Sequence, residues 1–361
     1  MSRSAIAILS TENLYHNLSI IQKQAPYSKI IALVKANAYG HGIRSVALRL
    51  DGHVFSLGVA SNDEAMTLRK AGVQSSITLM EGIFEPNELL IASCEGFHVV
   101  FHDWWQLEAL KTLFLPLPLN IWLKVDTGMG RLGFNPQEAL DAYQILLNHP
   151  QVIKPIGIMS HFACADDISH PLNQRQIESF DSFCHNLSGL KSLCNSAAIF
   201  NFPASHFDVV RPGLSLYGVS PFSEKSAYNL GLKPVMTLQT QLIAIRTIPK
   251  GFSIGYGGGF TCLKDTKIGV IAIGYGDGYP RTIATGAPIL VNNLRCQIVG
   301  RVSMDMATID LENCPNAKVG DPVTLWGNTL PIEEVATHTT HTPYDMLCAV
   351  QSRVKFYWTQ K

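Results

Sequence analysis

The sequence predicts an α/β protein: an N-terminal (β/α)8 TIM-like barrel in residues 1–230, followed by a mostly-β C-terminal domain in residues 231–361. Three observations support this division. A chain of 361 residues with 47% hydrophobic content can bury enough core for two domains. From residue 29 onward, short apolar runs alternate with stretches of helical period. Eight such runs in about 185 residues favour a closed barrel over an open doubly wound sheet. After about residue 230 this rhythm gives way to closely spaced strand patterns and turn signals.

In chain order, residues 10–24 read as a first helix, with Ser10 or Thr11 as cap and Leu14, Leu18 and Ile21 on one face. The barrel strands are read at residues 30–35, 54–60, 76–80, 97–101, 119–125, 155–161, 192–195 and 207–211. Helical period occupies 43–50, 62–71, 86–93, 104–113, 136–148, 173–187 and a shorter piece near 197–200. In the second domain, strands are read at 234–247, 268–273, 288–291, 296–301, 307–310 and 322–326. Asn292 and Asn293 suit a tight hairpin turn there. Short helical pieces fall at 332–337 and 344–347.

Composition narrows the class of function. Lys+Arg and Asp+Glu are equal at 28 each, so no global field favours nucleic acid or an acidic surface. No apolar run approaches the roughly 18 residues of a membrane span. Residues 1–9 lack the long apolar core of a secretion signal. The eight cysteines are scattered with no CxxC pair and read as reduced thiols, not a disulfide frame or zinc site. The expectation is a cytoplasmic protein acting on a small molecule, with no metal and no nucleic-acid or membrane partner.

Barrels of this kind build their sites at the carboxyl ends of the strands. The first strand ends in Lys35, an expensive place for a compact, strongly hydrated charge. Pairing with an acid relieves the cost, as does loss of the charge in a Schiff base; a lysine snorkelling past the strand end is the bland alternative. No acid lies close by in sequence. Other strand ends carry Lys124 with Asp126 and Arg131, then His161, then Asn195 and Ser196, then Arg211 with Gly213. The last two strands are where barrels commonly hold phosphate, and Ser196 with the Gly213–Leu214 backbone fits that role. Tyr39 adds a phenol from the first loop. A lysine opposite a phosphate cradle is what pyridoxal phosphate requires, which favours the Schiff-base reading of Lys35.

Seven motifs then fix a resemblance: LVKANAYGHG at 33–42, LKVDTGMGRLGF at 123–134, CNSAA at 194–198, VRPGLSLYG at 210–218, GYGGGF at 255–260, GYGDGYPR at 274–281 and GRVSMDM at 300–306. In this order they resemble the alanine racemase family. The resemblance implies a pyridoxal 5'-phosphate enzyme interconverting L- and D-alanine and supplying D-alanine for peptidoglycan. It implies that Lys35 holds the cofactor as an imine and takes the Cα proton of D-alanine. Tyr256 would be the opposite base, supplied by the second subunit of a homodimer with shared sites. Arg211 would face the pyridine nitrogen, with His161 beside the cofactor. Tyr39, Ser196 and the Gly213–Leu214 backbone would hold the phosphate. Arg131 and the Met304 backbone would bind the substrate carboxylate, Lys124 would carry a carbamate that orients the arginine, and Tyr275 and Arg281 would line the entrance. Ser303 stands where some relatives have cysteine. Ser352 is aligned with a tyrosine that lies near the phosphate in some relatives, which puts that contact in doubt.

These residue types suit racemisation, which removes a proton from one face of Cα and delivers one to the other. His161 is expected to link the phenol of Tyr256 to Arg211, so that positive charge favours phenolate. Arginine does not readily give up its proton, so it leaves the pyridine nitrogen unprotonated and weakens the ring as an electron sink. Asp126 is read as a local cap or a partner of Lys124, and Asp277 and Asp305 as loop-structuring acids. His98, His102, His170 and His206 lack ligand spacing, and the glycine run at 255–259 lacks the ending of a phosphate loop. Two other readings compete: another enzyme on the same scaffold, such as a broad-specificity amino-acid racemase or a decarboxylase, and a non-enzymatic pyridoxal-phosphate carrier. Arg211 argues against the decarboxylase, and a second domain with Tyr256 argues against the carrier.

Overall fold

The chain folds around two eight-stranded sheets, each with its own core, and a two-stranded ribbon, in a computed structural model that describes residues 4–359. Eight short parallel strands form the first sheet, in which Lys29–Leu33 pairs with Ser56–Val59 on one side and Val209–Val210 on the other. Ser76–Leu79, His98–Phe101, Asn120–Lys124, Gly157–Met159 and Lys191–Ser192 continue the order. Hydrogen bonds from Asp208 N to Lys191 O and from Arg211 N to Cys194 O close the ring between its last and first members. Every barrel strand expected from sequence is present, shortened by one to several residues. Parallel strands buried on both faces read as continuous apolar runs, which is why they were legible.

Ile31, Met80, Val100, Trp122, Met159 and Val209 fill the barrel interior. Gly157 has a steric reason to be glycine: a Cβ there would fall 2.5 Å from the Trp122 ring. A larger core packs the surrounding helices onto the strands. Caps follow the sequence signals. Ser10 accepts from Asn13 N to start Thr11–Gln24, and Asn135 accepts from Glu138 N to start Pro136–Asn148.

The second sheet is antiparallel apart from one edge pair. Its long strand Met236–Ile248 pairs with Pro322–Trp326 over its first half and Thr266–Ile271 over its second, with a register shift at Leu242–Ala244. That shift bends the strand so that six strands close on themselves. Asn292 and Asn293 both have positive φ, at 50° and 64°, and connect Pro288–Val291 to Leu294–Ile298 as a two-residue hairpin. Because that turn is so tight, the following strand starts at Leu294, earlier than the expected 296.

Four strands go beyond the sequence expectation: Ile6–Ser10, Lys355–Thr359 and the antiparallel pair Ser253–Ile254 and Phe260–Thr261. Ile6–Ser10 pairs antiparallel with Met236–Gln239 and parallel with Lys355–Thr359. Sequence division at residue 230 puts residues 6–10 with the barrel, whereas pairing puts them in the second sheet. Their buried positions alternate through small residues, Ala5 and Ala7 with Leu9, which leaves a weak period-2 signal beside a strong helix cap. Among the described residues no helix is long and apolar enough to cross a membrane.

The two units meet closely at Gly40, where φ is +77° and a Cβ would lie 1.9 Å from the carbonyl oxygen of Leu347 in helix Pro343–Cys348. Gly42 also has positive φ, at +91°, but a Cβ there would meet no atom within 4 Å. Gly40→Ala should therefore cost at least about 3 kcal/mol of stability, and Gly42→Ala only about 1–2 kcal/mol. Urea unfolding of the two variants checks this, and equal losses would show that the domain contact does not decide the difference.

Candidate active site

A cavity of about 510 Å³ opens at the carboxyl ends of the barrel strands. Lys35, Tyr39, Lys124, Arg131, His161, Ser196, Arg211, Gly213 and Leu214 all line it, each from a strand end or the loop beyond. These nine come from stretches scattered over 180 residues of sequence, and only barrel closure makes them neighbours. Tyr256, Tyr275 and Met304 are not among its lining residues.

The loop after the first strand has an unusual backbone. Ala36, Asn37, Ala38 and Tyr39 are successive non-glycine residues with φ of 52°, 55°, 56° and 49°. Such left-handed conformation costs roughly 1–2 kcal/mol per residue, so neighbours must hold it. Ala38 N donates to Val34 O, Gly40 N to Ala36 O and Gly42 N to Asn37 O. The Asn37 side chain accepts from Ile43 N, at the start of helix Ile43–Leu50. The Tyr39 ring stacks on Tyr217 at 5.0 Å, and Tyr217 in turn packs on buried His41 at 4.5 Å. A Cβ at position 213 would sit 2.3 Å from the Tyr39 hydroxyl, so glycine there is what lets the phenol approach the turn after the last strand.

Arg211 is buried among neutral acceptors, which Nη1 and Nη2 engage. It donates to Ser192 Oγ, to the carbonyls of Ser160 and Leu193, and to His161 Nδ1 at 3.3 Å. Burial lowers its pKa to about 10. Burial, then the charges of Arg211 and Lys124, hold His161 well below the usual histidine range. The ring is thus neutral, with Nδ1 as acceptor and the proton assigned to Nε2 from this network. Lys124 is also buried, and desolvation together with Arg211 and Arg131 lowers it to about 8. Ser196 Oγ accepts from Gly213 N at 2.8 Å and contacts Ser215 Oγ at 3.1 Å.

Glu81 went unrecognised in the sequence. It lines the cavity, and its carboxylate lies 2.9 Å from Lys35 Nζ. The lysine does have an acid partner, carried not by neighbouring sequence but by the strand two places along the barrel. Its signal was its position one residue beyond the expected strand 76–80. A second correction concerns Ser352, which is exposed and does not line the cavity. Tyr344 does, with its ring 6.1 Å from that of Tyr39. A phenol is therefore present near the expected phosphate end, contributed by helix Pro343–Cys348. Asp126 accepts from the backbone N–H groups of Gly128, Met129 and Gly130 and so organises the loop carrying Arg131. Among the described residues no cluster of His, Cys, Asp and Glu is arranged for a metal ion.

The second-domain residues form their own surface. Tyr256 is 71% exposed in the short turn Tyr256–Gly258. Tyr275 N donates to Ser303 O and Gly276 N to Met304 O, which joins two of the expected loops. Arg281 stacks 5.7 Å from the Tyr275 ring. Asp277 accepts from Gly274 N, and Arg353 bridges Asp277 and Asp305, so both acids do brace these loops.

Similarity to known proteins extends over nearly the whole chain. Residues 9–221 match the family model described as alanine racemase, N-terminal domain, and residues 235–358 match alanine racemase, C-terminal domain. An alanine racemase of Vibrio cholerae is 47% identical over 353 residues, covering 98% of each chain. The crystal structure of the biosynthetic alanine racemase from Pseudomonas aeruginosa superposes with a TM-score of 0.96 at 41% identity, covering 99% of this chain and 100% of that one. The alanine racemase of Bartonella henselae, solved with covalently bound pyridoxal phosphate, has a TM-score of 0.87 at 29% identity, covering 99% of each chain. With both halves of its sequence matched in order and its two-sheet architecture reproduced, this chain belongs to the alanine racemase family.

Proposed function

We propose that the chain interconverts L-alanine and D-alanine by a two-base mechanism with pyridoxal phosphate as cofactor. The observation that carries this reading is the meeting of Lys35, Arg211 and the Ser196–Gly213 cradle in one cavity of a chain of this family. The residues fit the cofactor: the glycine at 213 keeps a recess open beside the Tyr39 hydroxyl, and the surrounding cations suit a phosphate anion. Lys35 would hold the aldehyde carbon, and Tyr39, Ser196 and the Gly213–Leu214 backbone would hold the phosphate. When bound, pyridoxal phosphate supplies an electron-accepting ring that makes the Cα–H of an attached amino acid acidic.

The protein's own groups then move the proton. Lys35 Nζ takes it from, or delivers it to, one face of Cα. The hydroxyl of Tyr256 from a second copy of the chain serves the opposite face. Its exposure on its own subunit and its remoteness from its own cavity support that sharing. His161, neutral and bonded to Arg211 through Nδ1, has Nε2–H free to donate to a phenolate. Arg211 keeps its proton and offers the ring nitrogen only a donor, which limits charge delocalisation and favours prompt return of the proton. Arg131 and the Met304 backbone bind the substrate carboxylate, and Tyr275 with Arg281 borders the entrance. Lys124 carries a carbamate that orients Arg131; a buried amine with pKa about 8 has a reactive neutral fraction near neutrality. The enzyme works in the cytoplasm as a homodimer and supplies D-alanine for peptidoglycan.

Incubation with L-alanine in D2O tests the reaction: D-alanine should form with deuterium at Cα and without release of carbon dioxide. Faster exchange with lysine or serine would instead indicate a broad-specificity racemase.

Shared sites predict complementation. Lys35→Ala and Tyr256→Phe should each be nearly inactive, yet co-refolded mixtures should regain about a quarter of the wild-type sites, because each hybrid dimer holds one intact pair. Mixtures no more active than their parents would place both bases in one chain.

Carbon-13 bicarbonate should give a carbamate signal in the NMR spectrum at pH 8. The signal should fall by pH 6, where Lys124 is protonated, and be absent in Lys124→Ala. A signal that persists in Lys124→Ala would exclude this residue as its source.

A further inference from the structure

Glu64 lies outside the cavity and has no part in the chemistry above, yet it ties down the backbone that carries Lys35. It is the third residue of helix Asn62–Lys70, which follows the second barrel strand. Its two carboxylate oxygens diverge. Oε1 accepts from Ala36 N at 2.8 Å, and Oε2 accepts from Ala60 N at 2.8 Å. Ala36 opens the left-handed run that continues through Tyr39 into Gly40, and Ala60 immediately follows the neighbouring strand Ser56–Val59. The carboxylate therefore bridges two adjacent strand ends at the point where the chain leaves the ordinary right-handed or extended region.

We propose that Glu64 is a positioning residue that holds residues 36–39 in their left-handed conformation and thereby keeps Lys35 and Tyr39 aimed into the same cavity. This rests on the reading of Lys35 and Tyr39 as the imine and phosphate contacts of pyridoxal phosphate. Every residue of that turn is uphill in isolation, and Ala36 and Ala38 have no polar side chain that could support the conformation locally. A charge-assisted acceptor fixed by a helix supplies what the turn's own sequence lacks. Without it, residues 36–39 relax toward ordinary backbone, and the spacing between amine and phenol is lost. The competing explanation is that Glu64 merely finishes the helix N-terminus, beside Ser61, whose Oγ accepts from Glu64 N.

Three variants of the full-length chain separate these roles. The readouts are the visible absorbance of the Lys35 Schiff base on titration with pyridoxal phosphate, and the urea midpoint of the cofactor-free chain. Glu64→Ala should weaken cofactor binding at least about tenfold. Ser61→Ala, which removes the helix cap alone, should lower the urea midpoint and leave cofactor affinity unchanged. Adding Ala36→Gly to Glu64→Ala should restore most of the affinity, because glycine adopts positive φ at little cost. That rescue is not expected of a helix cap. Affinity unchanged in Glu64→Ala, an equal loss in Ser61→Ala, or no rescue by Ala36→Gly would each overturn the proposal. Failure of the wild-type chain to develop the absorbance would instead overturn the assignment of Lys35 on which it rests.

Discussion

Arg211 is a guanidinium sealed in the barrel with carbonyls, a serine hydroxyl and an imidazole around it and, among the described residues, no carboxylate in contact. A buried cation is tolerable when its donors find acceptors, as Nη1 and Nη2 do here. Its charge then acts on its neighbours. After burial itself, it helps to hold His161 neutral and to lower Lys124. A site with Lys35, Lys124, Arg131 and Arg211 on its walls is prepared for anions, and phosphate and carboxylate are what such a cradle binds well. On the proposed reading, the same arginine is too weak an acid to protonate the cofactor ring, so one residue would bear on both cofactor binding and reaction choice.

The two sheets divide the labour. The barrel gathers binding groups from remote stretches because closure forces successive strand ends onto one rim. The second unit holds Tyr256 outward, in a glycine-rich turn, and braces the neighbouring loops through Asp277, Asp305 and Arg353. On the proposed reading the barrel rim supplies one base and the exposed Tyr256 the other, and a closed two-fold assembly would bring such halves together twice. The strand Ile6–Ser10 matters to this geometry: it begins in the second sheet and leads directly into the first helix of the barrel, so the two units are covalently joined at both ends of the barrel.

Local strain marks the lysine loop. Four left-handed non-glycine residues in succession persist because acceptors, stacked rings and the close approach of Gly40 to Leu347 leave them little alternative. That rigidity keeps Lys35 and Tyr39 on one side of the chain.

Much of this was legible in the sequence. Apolar runs and helical period gave the barrel count, because parallel strands buried on both faces and amphipathic helices have distinct patterns. The motifs contain the barrel residues that line the cavity apart from Met80, Glu81, His161, Asp166 and Pro221, and of these only His161 was singled out, as a strand end. Tertiary structure alone decided the rest. Lys35 and Glu81 are 46 residues apart and become partners only through strand order. Tyr344, not Ser352, approaches Tyr39, because the helix carrying it docks at Gly40. Residues 6–10 join the second sheet because backbone pairing, which leaves almost no trace in a five-residue run, overrides chain order. The sequence by itself determined which chemical groups the protein possesses and the periodicity of its elements. Only the closed barrel and the docked second sheet decided which of those groups touch, because contact between distant segments depends on closure and register rather than on local residue preference.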